Sequence, residues 1–253
     1  MQLNFKQFGQ GDPIIILHGL FGTLDNWQTI AKALAEDYTV FIIDQRNHGK
    51  SPHASPFDYP TMAADLQEFM EQNWIYKAHL IGHSMGGKTV MQFALDYPDL
   101  VDELIVVDIA PVDYPERHNH IFEALLNLHP EQHTDRKAMD EQLATKIPEY
   151  GERQFLMKNL SRDKAGGFRF KMNLPVIHEN YHHILANVQS EDVFDERTLF
   201  IKGGNSQHIM PAHEASIKKH FPQAEIAAIA NAGHWVHADK PKELLELVKD
   251  WIK

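Results

Sequence analysis

Short apolar runs rich in valine and isoleucine recur along the chain: Ile14 to Leu17, Val40 to Ile43, His79 to Ile81, Leu104 to Val107, Thr198 to Ile201 and Glu225 to Ile229. Continuous runs of this length, without polar alternation, predict strands buried on both faces. Between them lie segments with apolar residues at helical spacing: Trp27 to Glu36, Thr61 to Trp74, Met85 to Tyr97, Pro211 to His220 and Pro241 to Ile252. Proline opening the last two suits a first helical turn, where its missing N–H is not needed. Strand and helix in alternation predict an α/β fold, with a parallel sheet covered by helices on both faces. The alternation breaks once. From Pro111 to Ser190 the pattern shows only short helices, at Phe122 to Leu128, Met139 to Ile147 and Phe155 to Leu160. That is too long for an ordinary connection, so residues 111-190 are expected to be an inserted helical cap on a core made of 1-110 and 191-253.

Composition narrows the classes of function. The 253 residues are 43% hydrophobic, enough for one large domain core. A formal charge of −11 opposes binding to nucleic acid or to an anionic membrane. Only a net −1 of this falls in residues 112-190, from 11 acidic and 10 basic side chains, so the rest of the chain carries the acidity. Zero cysteines exclude disulfides, thiolate metal sites and a cysteine nucleophile. Seventeen histidines raise the question of a metal, but none falls in an HExxH helix or a comparable ligand set, so no metal is expected. Met1 to Phe8 mixes Gln, Asn and Lys with single apolar residues and lacks the apolar stretch of a secretion signal, so the cytoplasm is the expected compartment.

The chemistry is concentrated around GHSMG, residues 82 to 86. A serine between two glycines, where a strand passes into a helix, is the pattern of a nucleophile elbow. The tight turn presents the hydroxyl at a helix N-terminus, whose N–H groups and dipole favour an oxyanion. Ser84 is therefore the expected nucleophile. Its base should lie late in the chain, after the last strand, which points to His234 in NAGHW; His237 is the competitor. The oxyanion donors are expected to be the backbone N–H groups of Met85 and of Leu20, in the HGLFG loop after the first buried strand, with Phe21 as the alternative to Leu20. His18 is expected to brace that loop. The acid is less direct, because the usual place, after the penultimate strand, reads GGNSQHIM and holds no carboxylate. Asp108, at the end of Leu104 to Val107, stands at the same sheet edge as Ser84 and is assigned the role. Ser206 occupies the vacated position and is expected to hydrogen-bond the histidine or the aspartate.

HGLFG at 18–22, DQRNHGKS at 44–51, GHSMGG at 82–87, DIAPVDY at 108–114, GGNS at 203–206 and GHWVHA at 233–238 together resemble the α/β-hydrolase superfamily. More closely they resemble the YbfF-type bacterial acyl-CoA esterases and the related abhydrolase domain 11 proteins, from about Leu3 to the end of the chain. The resemblance implies a mostly parallel eight-stranded sheet with a helical cap between strands 6 and 7. It places the acid in the DIAPV segment, in agreement with Asp108. It also implies esterase activity on short- to medium-chain esters or acyl-CoA thioesters through an acyl-enzyme, with no cofactor. The expected partner is a small-molecule ester or thioester, and the expected assembly a monomer or small homo-oligomer. Candidate substrate-binding residues are Phe21, Trp27, Phe122, Leu126, Phe155, Leu156 and Trp235, with Met85 and Leu160 beside them. The basic residues Arg153, Lys158, Arg162, Lys164, Arg169 and Lys171 are candidates for CoA phosphates. Serine at position 84 excludes the dehalogenase and epoxide-hydrolase chemistries, which need aspartate there. A lyase, a carbon–carbon hydrolase, a haloperoxidase-like enzyme and a low-turnover ligand receptor stay open.

Overall fold

A computed structural model describes residues 1–252. Seven strands form the main sheet: β1 (Phe5–Phe8), β2 (Pro13–Leu17), β3 (Thr39–Ile43), β4 (Ala78–His83), β5 (Val101–Val107), β8 (Thr198–Gly203) and β9 (Ala224–Ile229). Two short strands, β6 (Leu160–Arg162) and β7 (Phe168–Phe170), form a separate antiparallel hairpin. The main sheet runs β1-β3-β2-β4-β5-β8-β9, and every pair is parallel except β1 with β3. The pattern of apolar runs thus located all six parallel strands. It missed β1, an edge strand whose residues are largely exposed and carry no buried run.

Alternation along β2 explains the two layers. Ile15 and Leu17 face one side and pack with Leu66, Phe69 and Phe93 of the helices Tyr59–Gln72 and Met85–Asp96. Ile14 and Ile16 face the other and pack with Trp27, Ile30, Leu244 and Val248, from the Leu24–Leu34 segment and the helix Pro241–Trp251. Because successive side chains of a strand point to opposite faces, one apolar run serves two cores.

Among the described residues the expected eighth strand is absent. Residues before β1 are held by the loop after β3 instead: Asn4 N–H donates to Ser51 Oγ at 2.8 Å, its carbonyl accepts from Asp44 N at 2.9 Å, and its Nδ2 donates to Asp44 Oδ2 at 2.7 Å. With its main-chain groups engaged in this way, the segment has nothing left to offer a further ladder.

Between β5 and β8 the chain makes the long excursion. Five helices, Asn119–Leu126, Arg136–Ala144, Tyr150–Met157, Leu174–Glu179 and Tyr181–Leu185, surround the β6–β7 hairpin, a feature absent from the all-helical expectation. Strands of three residues are too short to carry a periodic signal. The excursion has its own apolar core, around Phe122, Met139, Leu143 and Ile177, which closes on Phe21, Tyr59 and Met85 of the rest of the chain. Lys88, buried one turn into the helix that follows β4, binds both of its ends. Its Nζ donates to Val112 O at 2.8 Å and Leu185 O at 3.0 Å, and also to Ala186 O. The rings of Tyr114 and Tyr59 lie 4.8 and 5.6 Å from the ammonium. Burial lowers its pKa from 10.5 to about 7.

Candidate active site

In the sheet, β3 lies on one side of β2 and β4 on the other, so the chain reverses direction across the sheet between them. The loops leaving β2 and β4 therefore diverge, and the crevice between them is where ligands of open α/β sheets bind. His18–Gly22 leaves β2 here, Ser84 leaves β4, and Asp108 leaves β5.

Two glycines make the serine turn possible. A Cβ on Gly82 would lie 2.2 Å from Gly86 O, and one on Gly86 would lie 2.5 Å from Leu17 O. Only glycine lets the helix sit this close to its strand and to β2. Ser84 itself has φ 53° and ψ −117°, a region that costs a non-glycine residue on the order of 1–3 kcal/mol. The turn is held by Ser84 N–H donating to Val107 O at 3.0 Å and by Lys88 N–H donating to Ser84 O at 3.0 Å.

Ser84 Oγ lies 3.0 Å from His234 Nε2, and His234 Nδ1 lies 2.8 Å from Asp108 Oδ2. A carboxylate can only accept, so Nδ1 carries the ring proton and Nε2 is left to accept from the serine hydroxyl. The imidazole is also fixed from behind: His83 Nε2 donates to His234 O at 2.8 Å, and the two rings lie 4.8 Å apart. Burial lowers the pKa of His234 below the ordinary imidazole value, and positive charge on His118, His237 and Arg117 would act in the same direction. The ring is neutral at pH 7 and ready to take a proton.

Asp108 is fully buried and at φ 53°. Its Oδ1 accepts from Gly203 N at 2.9 Å, and its Oδ2 accepts from the Ser206 hydroxyl as well as from His234. Burial raises its pKa, while the Ser206 and Gly203 hydrogen bonds oppose the shift. Ser206 thus bonds the aspartate rather than the histidine. His208, which the sequence analysis passed over, stacks on His234 at 3.7 Å and 19°, with Nδ1 3.6 Å from Asp108 Oδ2. Its place two residues after Ser206, within GGNSQHIM, is the available signal. Ligand-type atoms of Asp108, His208 and His234 all lie within 4.8 Å of one another. Each Nδ1 is already engaged in the hydrogen-bond network, that of His234 donating to Asp108 Oδ2 and that of His208 lying 3.2 Å from Ser206 Oγ.

The loop after β2 separates the two proposed oxyanion donors. Phe21 N–H donates to His48 Nε2 at 3.3 Å, a bond made possible because His48 Nδ1 donates to Arg46 O at 3.0 Å. Leu20 N–H and Met85 N–H donate to no group among the described residues. His18 braces the loop: Nδ1 donates to Gly19 O at 2.8 Å, and Nε2 accepts from Gln45 N at 3.1 Å. Asn159, from the excursion, donates to Phe21 O at 2.6 Å. The DQRNHGKS motif, whose Arg46 pairs with buried Asp65, is thus what supports Phe21.

Ser84 sits where two depressions meet. One, of about 530 Å³ including its open mouth, is bordered by Phe21, Trp27, Phe155, Leu156 and Trp235 together with His234. The other, about 450 Å³, is bordered by Met85, Ile109, Tyr114, Arg117, Ile184 and Leu185. Two of the expected substrate contacts are elsewhere. Phe122 is 1% exposed and packs on Phe21, His178 and Tyr181 inside the excursion, and Leu126 is 40% exposed on a separate surface groove. Helical spacing put both on an apolar stripe, and only packing decides which part of a stripe meets solvent. Leu160 likewise belongs to the excursion's core. His237, the competitor to His234, is buried and stacked on Trp27 at 4.8 Å and 18°. Arg153 is not free for a phosphate: it pairs with Asp140 at 2.9 Å and donates to Ile147 O and Pro148 O.

This fold and this sheet-edge constellation define a class, and comparison agrees. The chain belongs to the α/β-hydrolase fold family, whose pattern it matches over residues 12–241. It is a hydrolase of the esterase/lipase type. Among its relatives, sn-1-specific diacylglycerol lipase ABHD11 of Mus musculus is 40% identical over 94% of this chain and 80% of that protein. Esterase YbfF of Escherichia coli (strain K12) is 39% identical over 95% of this chain and 92% of its own length. A solved structure described as a marine microorganism esterase superposes with a TM-score of 0.97 at 40% identity, covering 99% of both chains. No helix among the described residues is long and apolar enough to cross a membrane.

Proposed function

We propose that this chain is a serine esterase that hydrolyses short- to medium-chain carboxylic esters through an acyl-enzyme, without a cofactor and in the cytoplasm. The observation that carries the reading is the unbroken path from Ser84 Oγ through His234 to Asp108, at 3.0 and 2.8 Å. His234 Nε2 takes the Ser84 proton as Oγ bonds to the ester carbonyl carbon. The carbonyl oxygen becomes an oxyanion that accepts from the Leu20 and Met85 N–H groups. The carbon–oxygen bond to the alcohol then breaks, and His234 delivers its proton to the leaving oxygen. Water repeats the sequence on the acyl-enzyme, with His234 as base, releasing the acid and free Ser84. Asp108 holds the required tautomer and stabilises the imidazolium formed in each step.

Residues 111-190 act as the lid, with 1-110 and 191-253 as the catalytic body: the excursion supplies Phe155 and Leu156 to one depression and Arg117, Ile184 and Leu185 to the other. A thioester would follow the same course. The engagement of Arg153 with Asp140 removes one of the basic residues that would have met CoA phosphates, and favours plain esters.

The test is hydrolysis of p-nitrophenyl esters from acetate to palmitate. Activity on the shorter chains that falls on the order of 10⁶-fold in kcat with Ser84→Ala is expected. A native chain that turns over none of them overturns the reading.

A further inference from the structure

His208 takes no part in the steps above, yet it is built into the triad. Its ring lies on that of His234, 3.7 Å between centroids and 19° from parallel, and it borders the second depression. Its main chain is held on both sides: the N–H donates to Ser206 Oγ at 3.2 Å, and the carbonyl accepts from the Tyr114 hydroxyl. That hydroxyl in turn accepts from Ala110 N at 2.9 Å, where the chain leaves β5. The backbone thus sets the ring with Nδ1 3.2 Å from Ser206 Oγ.

Counting protons fixes what that contact is. The Ser206 hydroxyl has one proton and two lone pairs. Asp108 Oδ2 can only accept, and Ser206 Oγ donates to it. The serine then has nothing left to give His208 and can only accept from it, so Nδ1 carries the ring proton and Nε2 the lone pair. Burial and charge on His234 lower the pKa of His208, with Asp108 opposing, so the ring is neutral in this form. Both lone pairs of Oγ are then filled by one residue, through its main-chain N–H and its ring N–H. With those positions taken, the hydroxyl proton is confined to the Asp108 side. Without them the hydroxyl can turn away, and a buried carboxylate loses a donor that its charge requires. Oδ2 is also the atom that holds His234 Nδ1 at 2.8 Å, so a carboxylate that shifts moves the base with it.

We propose that His208 is a positioning residue of this site: by donating from Nδ1 to Ser206 it commits the Ser206 proton to Asp108 and so keeps the carboxylate aligned with His234. Its effect on turnover rests on the esterase reading of Ser84, and the place of its proton does not. The proton is read by ¹⁵N NMR of the full chain at pH 7, where protonated and bare ring nitrogens have well separated shifts. His208, assigned through its own backbone signals, is expected as the Nδ1–H tautomer. The Nε2–H tautomer overturns the proposal, whether or not any ester is cleaved and whether or not any variant folds. Turnover of p-nitrophenyl butyrate is then compared in the native chain, His208→Phe, His208→Asn, Ser206→Ala and the double variant of His208→Phe with Ser206→Ala. Phenylalanine keeps a ring and lacks the donor, whereas asparagine lacks the ring and puts an amide N–H near the position of Nδ1. His208→Phe is expected to lower kcat about tenfold with KM within about twofold, as the loss of one hydrogen bond in support of a buried charge implies. His208→Asn is expected to recover most of that loss. With Ser206 already alanine, His208→Phe is expected to cost less than about twofold more, because the two residues act in series. Equal losses for phenylalanine and asparagine, or losses that multiply in the double variant, overturn the proposal, since the ring would then act without Ser206. A native chain that leaves p-nitrophenyl butyrate intact is failure of the esterase reading, and the tautomer alone then decides.

Discussion

The C-terminal edge of the sheet and the walls raised by the excursion treat polar groups in opposite ways. At the edge, buried polar atoms have fixed partners: Asp108 accepts from Gly203, Ser206 and His234, and His18, His48 and His83 each donate to a carbonyl. In the walls, Glu152 borders the depression beside His234 with neither a hydrogen bond nor an ion pair among the described residues. The difference follows from the tasks. Atoms that break and form bonds need positions held to fractions of an ångström, whereas atoms that meet a ligand keep their bonding capacity for it.

The comparison can be broken most forcefully at Asp108. Asp108→Asn keeps the shape but presents an amide that can leave His234 in the wrong tautomer, so kcat is expected to fall about 10³- to 10⁴-fold while the fold persists. Activity close to native would mean that the edge does not depend on this carboxylate.

A second test uses the histidines of the edge. Burial holds His18 near a pKa of about 4 and His48 near about 3, and keeps His83 well below 6.5. These rings are neutral when folded, while an unfolded chain protonates them near 6.5. As pH falls below 6.5 the unfolded state binds more protons than the native state, so stability is lost progressively toward pH 3 to 4. The melting temperature should drop by roughly 10 °C or more between pH 7 and pH 5. A melting temperature constant over that range would show that the edge tolerates charge.

The smallest effect sharpens the other side. Phe122→Ala should cost roughly 3–5 kcal/mol in denaturant unfolding, and Leu126→Ser, one turn further along the same helix, less than about 0.5. Equal losses would mean that both side chains are packed.

Much of this architecture is legible before folding. Six parallel strands and their helices appear as apolar runs and helical stripes, because each strand is buried on both faces and each helix on one. Ser84, His234 and Asp108 could be named because topology brings the ends of β4, β5 and β9 to one edge. What stayed hidden was local or long-range in a different way. Strand β1 carries no apolar signal, the β6–β7 hairpin is too short for one, and His208 and Glu152 are ordinary polar residues until something packs beside them. The ammonium of Lys88 is enclosed by carbonyls from Val112, Leu185 and Ala186, the last two 97 and 98 positions away, which no local pattern marks.

The sequence by itself determined the α/β layering and the order of the chemical groups along the chain, since periodicity and glycine spacing are properties of neighbouring residues. Only the tertiary structure decided that Phe21 N–H belongs to His48, leaving Leu20 N–H free, that Phe122 is core and Leu126 is surface, and that two depressions of different polarity meet at Ser84. Those outcomes depend on which distant groups share a few ångströms, and hydrogen bonding and burial act at that range whatever the separation along the chain.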